Sequence, residues 1–233
     1  MSTGDERIEQ AAIHTEILRA PKQSLSTFGT TNIHYYLLTE PAYSEIAGGG
    51  DETVVREGRV IAERPRIVTP YYLSHLEGFS SEARRYLDAL VKAYGHDAPG
   101  LFYTYRNEPK GLNIVADHWQ AVLARLNADI DRRGEPLTAV IRGEDALWDV
   151  SVLKFIYEVA RTSFPRNLSQ MGARGLLEMD AHGVPMDARL RIEEMFRQAL
   201  KGDFDPAELK KELDRWNLFA DYQDRFFAIF RKK

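Results

Sequence analysis

The chain has 233 residues, 44% of them hydrophobic and 28% charged, with a formal net charge of −4 at pH 7. These fractions sit near globular averages and exclude disordered, collagen-like and low-complexity classes, while the acidic balance gives no global attraction to nucleic acid or to an anionic membrane. The absence of cysteine removes disulfides, thiolate catalysis, zinc fingers and iron–sulfur clusters.

Residues Met1–Gln10 hold Asp5, Glu6, Arg7 and Glu9 without an apolar run, so no secretory signal is expected. No stretch approaches the roughly 18 apolar residues of a membrane span, and cytoplasm is the expected location. Thr3 and Glu6 have capping-box spacing, which predicts a helix running through Ile8, Ile13 and Ile17 until Pro21 stops it. The Tyr, Ile and Leu content of Ile33–Leu38 favours a strand. Gly48, Gly49 and Gly50 mark the most flexible segment. Beyond them, Glu57-Gly58 lies between Val54-Val55-Arg56 and Arg59-Val60-Ile61, the pattern of a hairpin with a two-residue turn.

Ser80 to Gly95 reads as an amphipathic helix through Ala83, Leu87, Leu90 and Tyr94. Leu101 to Tyr105 and Leu112 to Val115, around the turn-like Asn107 to Gly111, predict a second hairpin. A helix opens at Asp117 and Gln120 and closes at Gly134; Leu137–Ile141 is a buried strand. Residues Glu144–Thr162 form the expected central helix, apolar on more than one face, and Ser163–Pro185 is expected to be irregular. Met186–Leu200 is helical, and Asp205, Pro206 and Glu208 open a further helix with a full set of start signals. Phe219, Tyr222, Phe226 and Phe230 then share one side of a terminal helix. The expected architecture is α+β: a small, mixed or mostly antiparallel sheet with two hairpins, about six helices and a helical C-terminal extension. The expected domains are a core over 1–185 and the extension over 186–233.

No metal, cofactor or nucleophile motif is complete. Ser151 and Lys154 have the Ser-x-x-Lys spacing but lack its companion elements. His75 and Glu77 match half of a zinc deaminase signature whose other half needs cysteine. Asp129 and Asp131, two apart on a helix, diverge. Asp180 and His182 share the irregular segment, where they can converge on a hydroxyl or end as a hydrogen-bonded turn. His34 lies in an aromatic strand. Arg142 follows a buried strand, where open sheets gather ligand groups, with Glu144 and Asp145 as helix-start residues. Arg56, Arg59, Arg64 and Arg66 are candidate ligand-binding residues, and Arg161, Arg166 and Arg174 add a second basic stretch.

Since each strong signal is structural, the expected function is a non-catalytic interaction or regulatory module. Its partner is a protein or a second copy, reached through the aromatic C-terminal helices at Phe226 or Phe230. One alternative is a hydrolase using His, Asp and Glu around Asp180 and His182 or His34. The other is an RNA-binding or ribosome-associated factor using the arginine hairpin.

Overall fold

The computed structural model describes residues 3–41, 52–69, 71–72, 92 and 100–232. The triple glycine, the His75–Glu77 pair and all but Lys92 of the expected Ser80–Gly95 helix lie outside these residues. In chain order the elements are α1 (Thr3–His14), β1 (Glu16–Arg19), β2 (Thr31–Thr39), β3 (Thr53–Ala62), β4 (Arg66–Val68), β5 (Gly100–Phe102), β6 (Tyr105–Val115), α2 (Trp119–Arg133), β7 (Thr138–Arg142), α3 (Trp148–Gly172), α4 (Met186–Lys201), α5 (Pro206–Arg215) and α6 (Phe219–Ala228). The fold is α+β, with C-terminal helices and both a five-stranded mixed sheet and a two-stranded antiparallel one. The chain divides into two compact units: Met1–Arg64 with Tyr103–Asn167, and Pro65–Phe102 with Leu168–Lys233. The expected boundary after residue 185 falls inside the second unit.

In the first unit the strand order is β1-β7-β2-β3-β6. β2, β3 and β6 are successive antiparallel neighbours, β7 runs parallel to β2, and β1 is antiparallel to β7. Alternation splits each strand between two cores. Ile33, Tyr35, Leu37, Val60, Ala139 and Ile141 pack with Val152, Phe155 and Val159 of α3 on one face. Leu38, Val55 and Val140 pack with Val122 and Ile130 of α2 on the other. Burial on both faces is why β7 reads as a short unbroken apolar run.

Both expected hairpin turns are instead strand interiors. β3 runs through Glu57 and Gly58, and Gly58 is absent from the positive-φ residues. Its lack of a side chain serves packing: a Cβ there would lie 2.3 Å from the ring and hydroxyl of buried Tyr35 on the next strand. β6 likewise continues through Asn107–Gly111, with a bulge opposite Glu57 and Gly58. Two helix limits also move. α1 stops at His14, and Ile17 pairs with Ile141 as β1. α3 continues through Pro165 to Gly172, so half of the segment expected to be irregular is helical. The hydroxyls of Thr162 and Ser163 bind the carbonyls of Glu158 and Val159 within it.

The second unit buries Val68, Tyr72, Ile192, Phe196, Leu213, Trp216 and Phe226 in one core. Its helix starts follow the expectation: Asp205 accepts from Ala207 N at 2.8 Å with Pro206 in the first turn. Phe204 and Leu209 join the same core. Inside that core, Glu212 accepts hydrogen bonds from the Tyr72 hydroxyl at 2.9 Å and the Trp216 indole at 3.2 Å, and pairs with Arg191. Asp187, 1% exposed, accepts from the Ile67 amide at 3.1 Å.

Candidate functional site

The arginines proposed to act together are distributed among separate partners. On β3, Arg56 points to the α3 face, donating to Asp145 at 2.7 Å with its guanidinium 5.5 Å from the Trp148 ring. Arg59 points to the other face and donates to Glu108 at 3.0 Å. Strand alternation forbids their convergence. Arg64 ends the first segment of the first unit, whereas Arg66 belongs to the second, its guanidinium 5.3 Å from the Phe102 ring. Arg161 is paired with Glu158.

His34 shares the α2 face with Arg59, and its Nδ1 lies 3.3 Å from the Lys110 ammonium. Burial, then the Lys110 charge, hold the imidazole below its ordinary pKa. Asp180 and His182 form the closed turn. The Asp180 carboxylate accepts from the His182 and Val184 amides at 2.8 and 3.0 Å and from Arg189 at 2.6 Å. Burial raises the Asp180 carboxyl, but the Val184, Arg189 and His182 hydrogen bonds outweigh it and hold the pKa below the usual carboxylate value. Arg189 also lies 3.3 Å from the His182 ring. These contacts occupy Asp180 with its own loop.

A charged cleft of about 660 Å³ opens at the carboxyl ends of β2 and β7, lined by Arg7, His14, Glu16, Glu40, Arg142 and Glu144. His14 Nδ1 is 2.8 Å from Glu144, and Arg142 donates to Glu40 at 3.1 Å while stacking 4.5 Å from the Trp119 ring. Thr39 donates to Asp145 at 2.8 Å. Gly143 turns the chain here against Ser151: a Cβ would lie 2.0 Å from the Ser151 hydroxyl. That hydroxyl is buried at 2.7 Å from the Thr15 hydroxyl, and Lys154 donates to the Ala12 and Thr15 carbonyls at 2.6 and 3.0 Å. Ser151 and Lys154 therefore tie α1 to α3. Among the described residues, no three His, Asp or Glu side chains are placed to hold a metal ion, and no helix is long and apolar enough to cross a membrane.

The second concavity is apolar. A groove of about 580 Å³ runs along the outer flank of α3, lined by Tyr103, Tyr105, Leu153, Ile156, Tyr157 and Phe164. Leu153 and Tyr157 are each 64% exposed and Phe164 is 37% exposed. Tyr103 and Tyr105 stack with centroids 6.2 Å apart. The Tyr105 hydroxyl is buried without a hydrogen-bond partner among the described residues, and burial drives its pKa strongly upward. In the second unit Phe226 is buried, Phe219 and Tyr222 pack on the core, and Phe227 and Phe230 are exposed.

His14 and Glu40 escape a sequence reading because their neighbours come from elements far away in the chain. Leu153 and Tyr157 leave a trace: residues 147–159 are apolar almost all round, and a helix with one sheet to lie on cannot bury every face. No protein-family model, no curated protein and no solved structure matches this chain.

Proposed function

We propose that this protein is a non-catalytic interaction module whose contact surface is the outer flank of α3 with Tyr103 and Tyr105. The carrying observation is the joint exposure of Leu153, Tyr157 and Phe164 along one groove. Single exposed apolar side chains are ordinary, but a run of them bordering a concavity is the mark of a binding surface. Aromatic side chains suit that role, as they supply large contact area at little entropic cost. The occupied state of Asp180 supports the same reading. Phe227 and Phe230 offer a smaller contact in the second unit, and Phe226 does not, being packed inside its own unit.

A photo-crosslinking residue at position 157 tests the proposal, with the same residue at exposed Ala124 of α2 as control. Protein adducts in living cells from position 157 alone are expected. Equal adducts from both positions, or none from 157, overturn the reading. Acid–base catalysis is a second reading, favoured by the His14–Glu144 pair in the charged cleft. It requires His14→Ala to abolish a hydrolytic activity found by screening ester and phosphoester substrates. RNA binding is not part of the proposal, because Arg56 and Arg59 lie on opposite faces and each is paired with an acid.

A further inference from the structure

We infer that the second half of β6 takes an extended peptide of another protein as an added strand, a surface distinct from the groove of Tyr105 and Tyr157. β6 is the outermost strand of its sheet among the described residues, hydrogen-bonded to β3 on one side. Beside an antiparallel neighbour, alternate residues spend both backbone groups inward, and the residues between them turn N–H and C=O outward. Proteins guard such an edge with charge, proline and bulges, because any extended chain can pair with it. The first half of β6 carries all three: Arg106, Glu108, Pro109, and Lys110 at the bulge. The second half, Gly111-Leu112-Asn113-Ile114-Val115, carries none, and Leu112 and Ile114 are 47% and 54% exposed. The opposite edge, β1, is guarded throughout: it has four residues, Glu16 and Arg19 at its ends, and a register break between Ile17 and Arg19.

The backbone row specifies the chemistry of the guest. A helix has its N–H and C=O groups paired within itself, and a nucleic acid offers no matching row of donors and acceptors; an extended polypeptide offers both. Antiparallel pairing is the more stable per residue and repeats the relation of β6 to β3. Register places Leu112 and Ile114, opposite Arg56 and Val54, on the α3 face of the sheet, with Asn113 on the other. The guest therefore sets two apolar or β-branched side chains beside Leu112 and Ile114, with polar ones between them. Its reach is short. At about 3.4 Å per residue the unguarded stretch is about 17 Å long, and a strip about 10 Å deep covers roughly 170 Å² of each partner. That is far below the ~800 Å² per partner of a stable interface, so the guest is a linear segment held weakly, and neither a folded partner nor a second copy.

Nuclear magnetic resonance on the full chain, with the acetylated and amidated peptide Thr-Val-Thr-Val-Thr as probe, tests the inference. In the free protein the outward amides within Gly111–Val115 should exchange readily with solvent. Peptide added to about 1 mM, the scale of a weak specific contact, should protect them and shift their signals saturably. Two N-methylated peptides separate the two edges of the guest, one methylated at its odd positions and one at its even positions. One should bind at least about tenfold more weakly and the other nearly unchanged, since only one edge of the guest meets β6. Leu112→Lys with Ile114→Lys should also weaken binding at least about tenfold, as a charged guard does, while Tyr157→Asp should not. If the lysine variant misfolds by circular dichroism, the methylated pair carries the test alone. No saturable shift overturns the inference, as do equal losses from both methylation patterns, or a loss with Tyr157→Asp and none with the lysines. Outward amides already protected in the free protein overturn it as well: protection independent of concentration means that the chain covers its own edge, and protection rising with concentration means that a second copy does.

Discussion

Glu212 is 3% exposed and ionised. Burial pushes its carboxyl toward the neutral form, but the Arg191 charge and hydrogen bond and the Tyr72 hydroxyl outweigh it and hold the pKa below the ordinary glutamate value. A carboxyl depressed in the folded state stabilises above its unfolded pKa, and that stabilisation fades as pH falls through the folded value. Glu212→Gln should therefore cost about 3 kcal/mol near neutral pH, because it removes the nearer counter-charge of buried Arg191 and leaves it only Asp187, at 3.8 Å. The gap to wild type should narrow as pH drops below about 4.5. Urea unfolding at pH 7 and pH 3.5 measures it; an equal gap at both values would show that Glu212 acts through packing alone. Nothing in the local spacing separates Glu212 from exposed Glu208 one turn earlier, since its partners sit at positions 72 and 191.

At the level of elements, periodicity located most of the strands and helices but read β1 as the end of the first helix, while turn chemistry misled. Glu57-Gly58 and Asn107–Gly111 have turn composition, yet β2 and β6 flank β3 along its whole length and supply pairing that local preference cannot override. Gly58 answers to a ring on the neighbouring strand. Gly58→Ala should cost about 1–3 kcal/mol through overpacking against Tyr35. In a double-mutant cycle with Tyr35→Leu, most of that penalty should vanish. Thermal unfolding of the four proteins checks it, and an additive cycle would return Gly58 to a backbone role. The start of α5 was fully legible because capping is local. The continuation of α3 past Pro165 was not, since a proline argues for an end and only the packing of Asn167 and Met171 beyond it argues otherwise. The charged cleft was half legible: Arg142, Glu144 and Asp145 follow one strand, but His14 and Glu40 join them from other elements.

For the whole molecule, neither unit is one continuous stretch of chain. The core of α4, α5 and α6 includes Val68 and Tyr72, contributed well over a hundred residues earlier. A chain ended after Pro185 should keep a protease-resistant first unit and become susceptible at Arg66 and Arg174. Residues 186–233 alone should show no cooperative unfolding by circular dichroism. A cooperative transition in that fragment would support a domain boundary after residue 185.

The interleaving of the two units also has a bearing on biosynthesis. β3 and β6 are adjacent strands, but the chain visits the other unit between them. A ribosome adding roughly 5–20 residues per second therefore releases Ile67, Val68 and Tyr72 on the order of ten seconds before the helices that will cover them exist. The first unit meanwhile assembles as β7 and α3 emerge, leaving a sticky half-core waiting on the nascent chain. Slowed translation downstream of residue 72, or loss of a holding chaperone, should raise the aggregated fraction without any change in the stability of the finished protein.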